Sequence, residues 1–280
     1  MAKQRVWIIT GVSSGFGYEL TKQLLDKGDI VVGTILKEAD REKIADFLAH
    51  DNYEGPILDV TDTDRVKAVV DEAAAKYGRI DCIVSNAGYG LFGAAEEITM
   101  EQAKKIIATN LTGSIAFIKA TLPYMRKQKS GRIIQISSYG GQVAFPSNSL
   151  YHATKFGIEG FCESVAQEVA EFGVGVTIVE PGGARTEFRY GSAQVADLMD
   201  EYAHTHGFLD MLDKSKGLAP GDPVKMATRI IESADINPAP LHMVLGSQAL
   251  KATIERLEQR VEEYKGQTER AASTDFEDGE

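Results

Sequence analysis

Residues 6–17 read Val6-Trp7-Ile8-Ile9-Thr10-Gly11-Val12-Ser13-Ser14-Gly15-Phe16-Gly17. Four apolar residues in a row suit a short strand buried on both faces. Phe16, Leu20 and Leu24 then recur at helical spacing, and Gly28 closes that helix. Between strand and helix stand three glycines in a Gly-x-x-x-Gly-x-Gly turn, which permit dihedrals closed to other residues. Such a turn lets a pyrophosphate approach the main chain, while the helix N-terminus aims its N–H groups at the phosphate. The spacing alone also fits a plain tight turn. Placed between a first strand and a first helix, it predicts a nucleotide site at Gly11, Ser13, Ser14, Gly15, Phe16 and Gly17.

The same alternation runs on to residue 245. Strand-like runs fall at Ile30–Ile35, Pro56–Leu58, Cys82–Val84, Arg132–Ile136, Val174–Val179 and Leu241–Leu245. Helical periods fall between them: through Ile44, Phe47 and Leu48; through Val66, Val69 and Ala73 behind a Thr61-Asp62 cap; and from Thr99 toward Lys127, where Pro123 is expected to bend or break the helix. A further helix carries Tyr151, Ile158, Phe161, Val165 and Val169, and another covers Pro223–Ile231. This order predicts an α/β, doubly wound (Rossmann-type) parallel sheet of seven strands, with helices on both faces, in a single domain. Ligands of such sheets sit beyond the carboxyl ends of the strands.

The chain has 280 residues, 43% hydrophobic and 25% charged, with a formal net charge of -11. That balance speaks against nucleic acid or an anionic membrane as partner. Part of the acid lies in the terminal Asp275, Glu277, Asp278 and Glu280. Cys82 and Cys162 sit in apolar surroundings and read as buried thiols. No metal spacing is present; His204 and His206 read as a solvated surface pair. The first strand begins near Arg5, without a signal peptide, and no apolar run approaches the ~20 residues of a membrane span. A cytoplasmic protein is expected. Residues 1–247 form the expected domain, with an irregular substrate lid at about 188–218. Leu250, Ile254, Leu257, Val261 and Tyr264 mark an amphipathic helix over 248–265, docking on its own subunit or extending an oligomer interface. Residues 266–280 are polar and acidic and read as disordered.

The residues with chemical potential follow the strands. Tyr151 and Lys155 stand four apart, so a helix puts them on one face, and Ser138 lies thirteen residues earlier. A free phenol titrates near pH ~10. A fixed cation beside it favours phenolate, and a serine hydroxyl can donate to the same substrate oxygen. A half-buried tyrosine with a surface lysine is the bland reading of that spacing. After the second strand comes Leu36-Lys37, where an acid would bind the 2′-hydroxyl of NAD. The cation Lys37 instead suits a 2′-phosphate, or else begins a helix in solvent. Asp59-Val60, Asn86-Ala87-Gly88 and Pro181-Gly182, with Thr186 beyond, follow other strands, and each alone is an ordinary cap or turn. Asn110 sits mid-helix, where it serves a bend or a water relay.

In this order and spacing the set resembles the short-chain dehydrogenase/reductase family over residues 5 to 245. The resemblance implies a nicotinamide oxidoreductase acting on CH–OH groups, with a catalytic set Asn110, Ser138, Tyr151 and Lys155. It implies Asp59 at the adenine end, Asn86, Ala87 and Gly88 on the ribose side and Thr186 at the carboxamide, with Val60, Pro181 and Gly182 also at the cofactor. Tyr151 and Lys155 then also meet the cofactor. It implies a homodimer or homotetramer. With Lys37, the cofactor expected is NADP(H), with NAD(H) as the alternative.

Tyr89 and Leu91 follow the Asn-Ala-Gly turn, Gln142, Val143 and Phe145 follow Ser138, and Phe188 follows the sixth strand. These residues favour an apolar ketone, aldehyde or secondary alcohol, with loop packing the equal alternative. Arg185 and Arg189 offer a contact for a carboxylate. Two other classes stay open: an idle NADP-binding regulator, and a sugar-nucleotide epimerase or dehydratase. The complete catalytic set argues against the first. The glycine spacing and the small C-terminal region argue against the second.

Overall fold

The computed structural model describes residues 4–276. Its first half runs β1 (Val6–Ile9), α1 (Gly15–Asp26), β2 (Ile30–Gly33), α2 (Ala45–Leu48), β3 (Tyr53–Glu54), α3 (Thr63–Tyr77), β4 (Cys82–Ser85), β5 (Leu91–Phe92) and α4 (Met100–Ile107). A π-helical turn, Ala108–Gly113, leads into α5 (Ser114–Gln128), β6 (Gly131–Ile136), α6 (Ser149–Val169) and β7 (Val174–Pro181). Then follow α7 (Glu187–Tyr190), β8 (Gln194–Val195), α8 (Phe208–Leu212), α9 (Pro223–Ser233), β9 (His242–Leu245), α10 (Ser247–Lys265) and α11 (Thr268–Ala272).

Seven strands form one parallel sheet in the order β3-β2-β1-β4-β6-β7-β9. The chain reverses direction across the sheet between β1 and β4, which opens a crevice at their carboxyl ends. Successive residues feed opposite core layers, as the two-residue strand period demands. Ile8, Ile83 and Ile133 pack with Val66, Phe117 and Ile158 on the α3, α5 and α6 side. Trp7, Ile9, Val84 and Ile134 pack with Leu20, Leu24 and Ile230 on the α1 and α9 side. Each such side chain is worth about 1.5–3 kcal/mol when fully buried. The Trp7 indole N–H donates to the Asp29 carboxylate at 3.0 Å, so its one polar atom is satisfied.

Local signals set several boundaries. Asp62 caps α3 by accepting from Arg65 N–H, Thr99 and Gln102 form a capping box on α4, and Asp222 caps α9 ahead of Pro223.

Four elements differ from the sequence reading. The third strand is Tyr53–Glu54, and Pro56–Leu58 makes only an isolated bridge, Ile35 to Ile57. Pro56 has no N–H to continue a ladder. The expected long helix breaks at the π turn around Asn110 and runs on through Pro123. Phe117, Ile118 and Met125 anchor α5 in the core on both sides of that proline. On α10, small residues dock: Ala249 and Thr253 are buried, while Leu250, Ile254, Leu257, Val261 and Tyr264 are exposed. Beyond Gly266 a short exposed helix, α11, forms; residues 277–280 of the expected tail lie outside the described residues. Among the described residues no helix is long and apolar enough to cross a membrane.

Candidate active site

A cleft of about 1240 Å³ opens at the carboxyl ends of β1, β4, β6 and β7. Its floor is the glycine turn: Gly11, Ser13, Ser14, Gly15 and Phe16 line it. Gly17 lies behind that floor. A Cβ there would meet the Gly11 carbonyl oxygen at 2.2 Å and Asn86 Nδ2 at 2.8 Å, so only glycine lets α1 approach β1 this closely. Thr10 and Asn86 staple the first and fourth strand ends together. Thr10 Oγ1 accepts from the N–H groups of Asn86 and Ala87 at 3.0 Å, and Asn86 Nδ2 donates to the Thr10 and Gly11 carbonyls at 2.9 Å. Thr10 escaped the sequence reading because a threonine at a strand end carries no signal by itself.

The residues present fit a dinucleotide. The Ser14 side chain makes no capping bond at the start of α1, leaving the helix N–H groups facing the glycine cradle. Ala87, Gly88, Pro181, Gly182 and Thr186 line the cleft on one side, and Leu36, Lys37, Lys43, Asp59 and Val60 line its far end. Lys43 pairs there with Asp40 at 2.9 Å. Asp59 accepts from the N–H and hydroxyl of Thr61, so its carboxylate also shapes its own turn.

Ser138, Tyr151 and Lys155 line one wall. Ser138 leaves β6 in extended conformation, and its Oγ accepts from Gly140 N–H at 3.0 Å. Tyr151 and Lys155 share a face of α6, with the ammonium 5.5 Å from the phenol ring centroid. Lys155 is buried and donates to the Ile136 carbonyl at 3.0 Å. Burial pulls its ammonium down to about 8, against the opposing charge of Glu159. Burial pushes the Tyr151 phenol above its ordinary range; the Ser138 hydroxyl beside it pulls back, and the charges of Tyr139 and Glu159 push it further up. In the dinucleotide-free cleft burial is the largest influence on the phenol. The ammonium turns to a carbonyl.

Asn110 does not line the cleft. It is buried behind the wall, and both ends of its amide bind the Tyr89 main chain. It holds the turn after β4.

Of the residues expected at the substrate, Tyr89, Phe145 and Phe188 line the cleft and Leu91, Gln142 and Val143 do not. Leu91 is fully buried in a satellite core with Ile98, Ala103 and Ile106. Gln142 is drawn away by Glu159, to which its Nε2 donates at 2.6 Å, and Val143 is buried beside it. Phe92, Tyr139, Phe208 and Met211 complete the apolar wall. Arg185 and Arg189 donate to the Ala219 and Met211 carbonyls, which brace the segment over the cleft.

That segment is anchored at several points. β8 pairs with β5 as a second, two-stranded sheet. Glu97, buried, accepts from Met199 N–H at 2.7 Å and binds His206 at 2.8 Å. Ser147 donates to Thr205. His206 is thus held by a buried carboxylate and is no solvated surface histidine; His204 stacks on Tyr202 at the cleft rim. Cys82 and Cys162 are buried and unpaired.

A family model described as short chain dehydrogenase matches residues 5–195. An oxidoreductase of Botryotinia fuckeliana named BOA17 is 36% identical over 248 residues, spanning 88% of this chain and 90% of its own. A short-chain dehydrogenase from Streptomyces avermitilis superposes with a TM-score of 0.90 at 36% identity, over 98% of this chain and all of its own. The structure of ElxO with NADP bound superposes with a TM-score of 0.74 at 25% identity, covering 89% of this chain.

Proposed function

The chain belongs to the short-chain dehydrogenase family of oxidoreductases, and on that premise we propose that it interconverts a carbonyl and an alcohol on a mainly apolar small molecule, using NADP(H). The observation that carries the reading is the convergence of Ser138, Tyr151 and Lys155 on one wall of a cleft floored by the glycine turn.

When bound, the dinucleotide carries the two electrons of the redox step. Gly11, Ser13, Ser14, Gly15 and Phe16 hold its pyrophosphate against the start of α1, with Gly17 keeping the helix close. Asp59 and Val60 bound the adenine end, Asn86, Ala87 and Gly88 the ribose, and Pro181, Gly182 and Thr186 the carboxamide. Lys37 meets a 2′-phosphate, which favours NADP(H) over NAD(H); the NADP-bound relative supports that choice.

Tyr151 is the general acid and base. Its raised pKa keeps the proton on the phenol at neutral pH, which suits it to protonate a carbonyl oxygen in the reductive direction. Ser138 donates a hydrogen bond to the same oxygen as charge builds there. Lys155 binds ribose hydroxyls and supplies positive charge behind the phenol. Asn110 acts indirectly, by holding Tyr89. Tyr89, Tyr139, Phe145, Phe188 and Phe208 exclude water around the carbonyl, and the segment at about 188–218 serves as the substrate lid. A homodimer or homotetramer belongs to the same reading.

Nicotinamide absorbance followed over a panel of apolar ketones, aldehydes and secondary alcohols, with NADPH and NADH compared, tests this. Turnover of several members, faster with NADPH, is expected. Tight NADPH binding without turnover of any member points instead to an idle dinucleotide-binding regulator.

A further inference from the structure

Glu159 lies one helical turn beyond Lys155 on α6 and is buried at 2% exposure. Its carboxylate straddles the turn that presents Ser138: one oxygen accepts from the Ser137 hydroxyl and the other from Gln142 Nε2 at 2.6 Å. Between those two anchors the main chain passes so close that a Cβ on Gly141 would lie 1.9 Å from Glu159 Oε1. Gln142 is held from the other side by Arg260 of α10, which donates to its carbonyl at 3.2 Å. Ser138 sits inside this bracket, and Tyr151 and Lys155 sit on the helix that carries it.

The same carboxylate has a second neighbourhood. Glu159, Glu180 and His242 each place a ligand-type atom within 4.8 Å of the others. Glu180, on β7, is 1% exposed and binds His242 Nδ1 at 2.6 Å, and His242, on the edge strand β9, has a side chain 39% exposed. Glu163, a turn further along α6, stands 3.6 Å from the other ring nitrogen. The charged and titratable groups facing Glu159 are thus Lys155, Cys162 and Glu163 on its own helix, Tyr151 at the cleft, Glu180 on β7, His242 on β9 and, through Gln142, Arg260 on α10.

We propose that Glu159 is a positioning residue for the carbonyl–alcohol reaction: it clamps the Ser138 turn to α6 and, through Glu180 and His242, couples the charge behind Lys155 to the solvent-facing edge of the sheet. This rests on the function proposed above. The direction of each effect follows from electrostatics. An ionised Glu159 raises the pKa of Lys155 and opposes ionisation of Tyr151. Burial and the neighbouring Glu180 hold its own ionisation up, at about 7, while the Ser137 hydrogen bond and the cation of His242 pull it down. Neutralising Glu159 frees both active-site groups to lose a proton at lower pH.

The test is Glu159→Gln, close to the same shape, with His242→Asn as an edge variant that leaves the bracket intact. Lys155 is titrated by its 13Cε resonance in the dinucleotide-free protein, assigned by its loss in Lys155→Met, alongside the pH profile of kcat. In Glu159→Gln the Lys155 midpoint and the limb of the kcat profile move down together by about one pH unit, and kcat falls at least fivefold. In His242→Asn the Glu159 ionisation moves to higher pH. A fall in kcat with an unmoved Lys155 midpoint and an unmoved profile in both variants overturns the proposal, and leaves Glu159 a packing residue. The resonance titration needs no substrate, so it decides the role of Glu159 even where no carbonyl is turned over. Turnover by wild type with an unmoved resonance leaves the proposed function standing.

Discussion

Asn110 and Tyr89 are locked together across 21 positions of sequence by a two-point bond: Asn110 Oδ1 accepts from Tyr89 N–H at 3.1 Å, and Asn110 Nδ2 donates to the Tyr89 carbonyl at 2.8 Å. The π turn at Ala108–Gly113 brings the amide inward to make it. Losing one partner of a buried hydrogen bond costs about 1–3 kcal/mol. Asn110→Ala is expected to lower the unfolding free energy by about 2–4 kcal/mol and to weaken dinucleotide binding. Asn110→Asp, which sets a carboxylate oxygen against the Tyr89 carbonyl and buries a charge, is expected to cost at least as much. Denaturant melts of the two variants check the order.

Tyr151→Phe removes the proton-bearing hydroxyl while keeping the ring contact with Phe188, whose centroid lies 5.8 Å away. Turnover is expected to drop by at least about 10²-fold, the scale of a lost general acid, with NADPH affinity within a few-fold of wild type. Stopped-flow reduction with parallel fluorescence titration separates the two. Retained turnover removes Tyr151 from the role given to it.

Lys155 has the opposite effect on stability and on activity. Its folded pKa, pulled down to about 8, lies below the unfolded value of 10.5. Between those values the unfolded chain binds more protons, so stability rises as pH increases from about 8 toward 10.5 and the lysine costs stability below that window. Lys155→Met is expected to be the more stable protein at pH 7 by on the order of 2–3 kcal/mol, with the gap closing as pH rises through the window. Its turnover is expected to be lost. Melts of both proteins at pH 7 and pH 9.5 read the gap directly.

Gly17→Ala places a methyl 2.2 Å from the Gly11 carbonyl oxygen, where the neighbour is main chain and cannot step aside. The helix must shift away from β1 and the cradle must open. Overpacking of this kind costs about 1–3 kcal/mol, and NADPH affinity is expected to fall at least tenfold. Isothermal titration measures it.

Lys37→Asp exchanges the cation at the far end of the cleft for an acid able to accept from a ribose 2′-hydroxyl. The ratio of kcat/KM for NADPH over NADH is expected to fall by at least tenfold. A ratio that stays put assigns the choice of cofactor to another group, with Lys43 the next to test.

Much of the site can be read from sequence because its signals are short-ranged. The strand–turn–helix of residues 6–26 needs only neighbouring residues, and a Tyr-x-x-x-Lys spacing faces one way on any helix. The order of strands and helices was legible for the same reason, since each carries its own period. Pocket residues were harder. Leu91, Gln142 and Val143 follow the right strands, yet Leu91 is taken by a satellite core, Gln142 by Glu159 seventeen positions away, and Val143 is simply buried.

The sequence by itself determined a parallel α/β sheet with a glycine turn, a Tyr–Lys pair on one helical face and a serine near it, all of them consequences of local spacing. Tertiary structure alone decided which charges are buried and what they touch. His206 meets Glu97 across 109 positions, and His242 meets Glu180 across 62. α10 packs on β9 and the turn after Ser138 with Ala249 and Thr253 buried, and its apolar stripe faces outward. Burial and electrostatics depend on distance in space, and the chain writes only distance along itself.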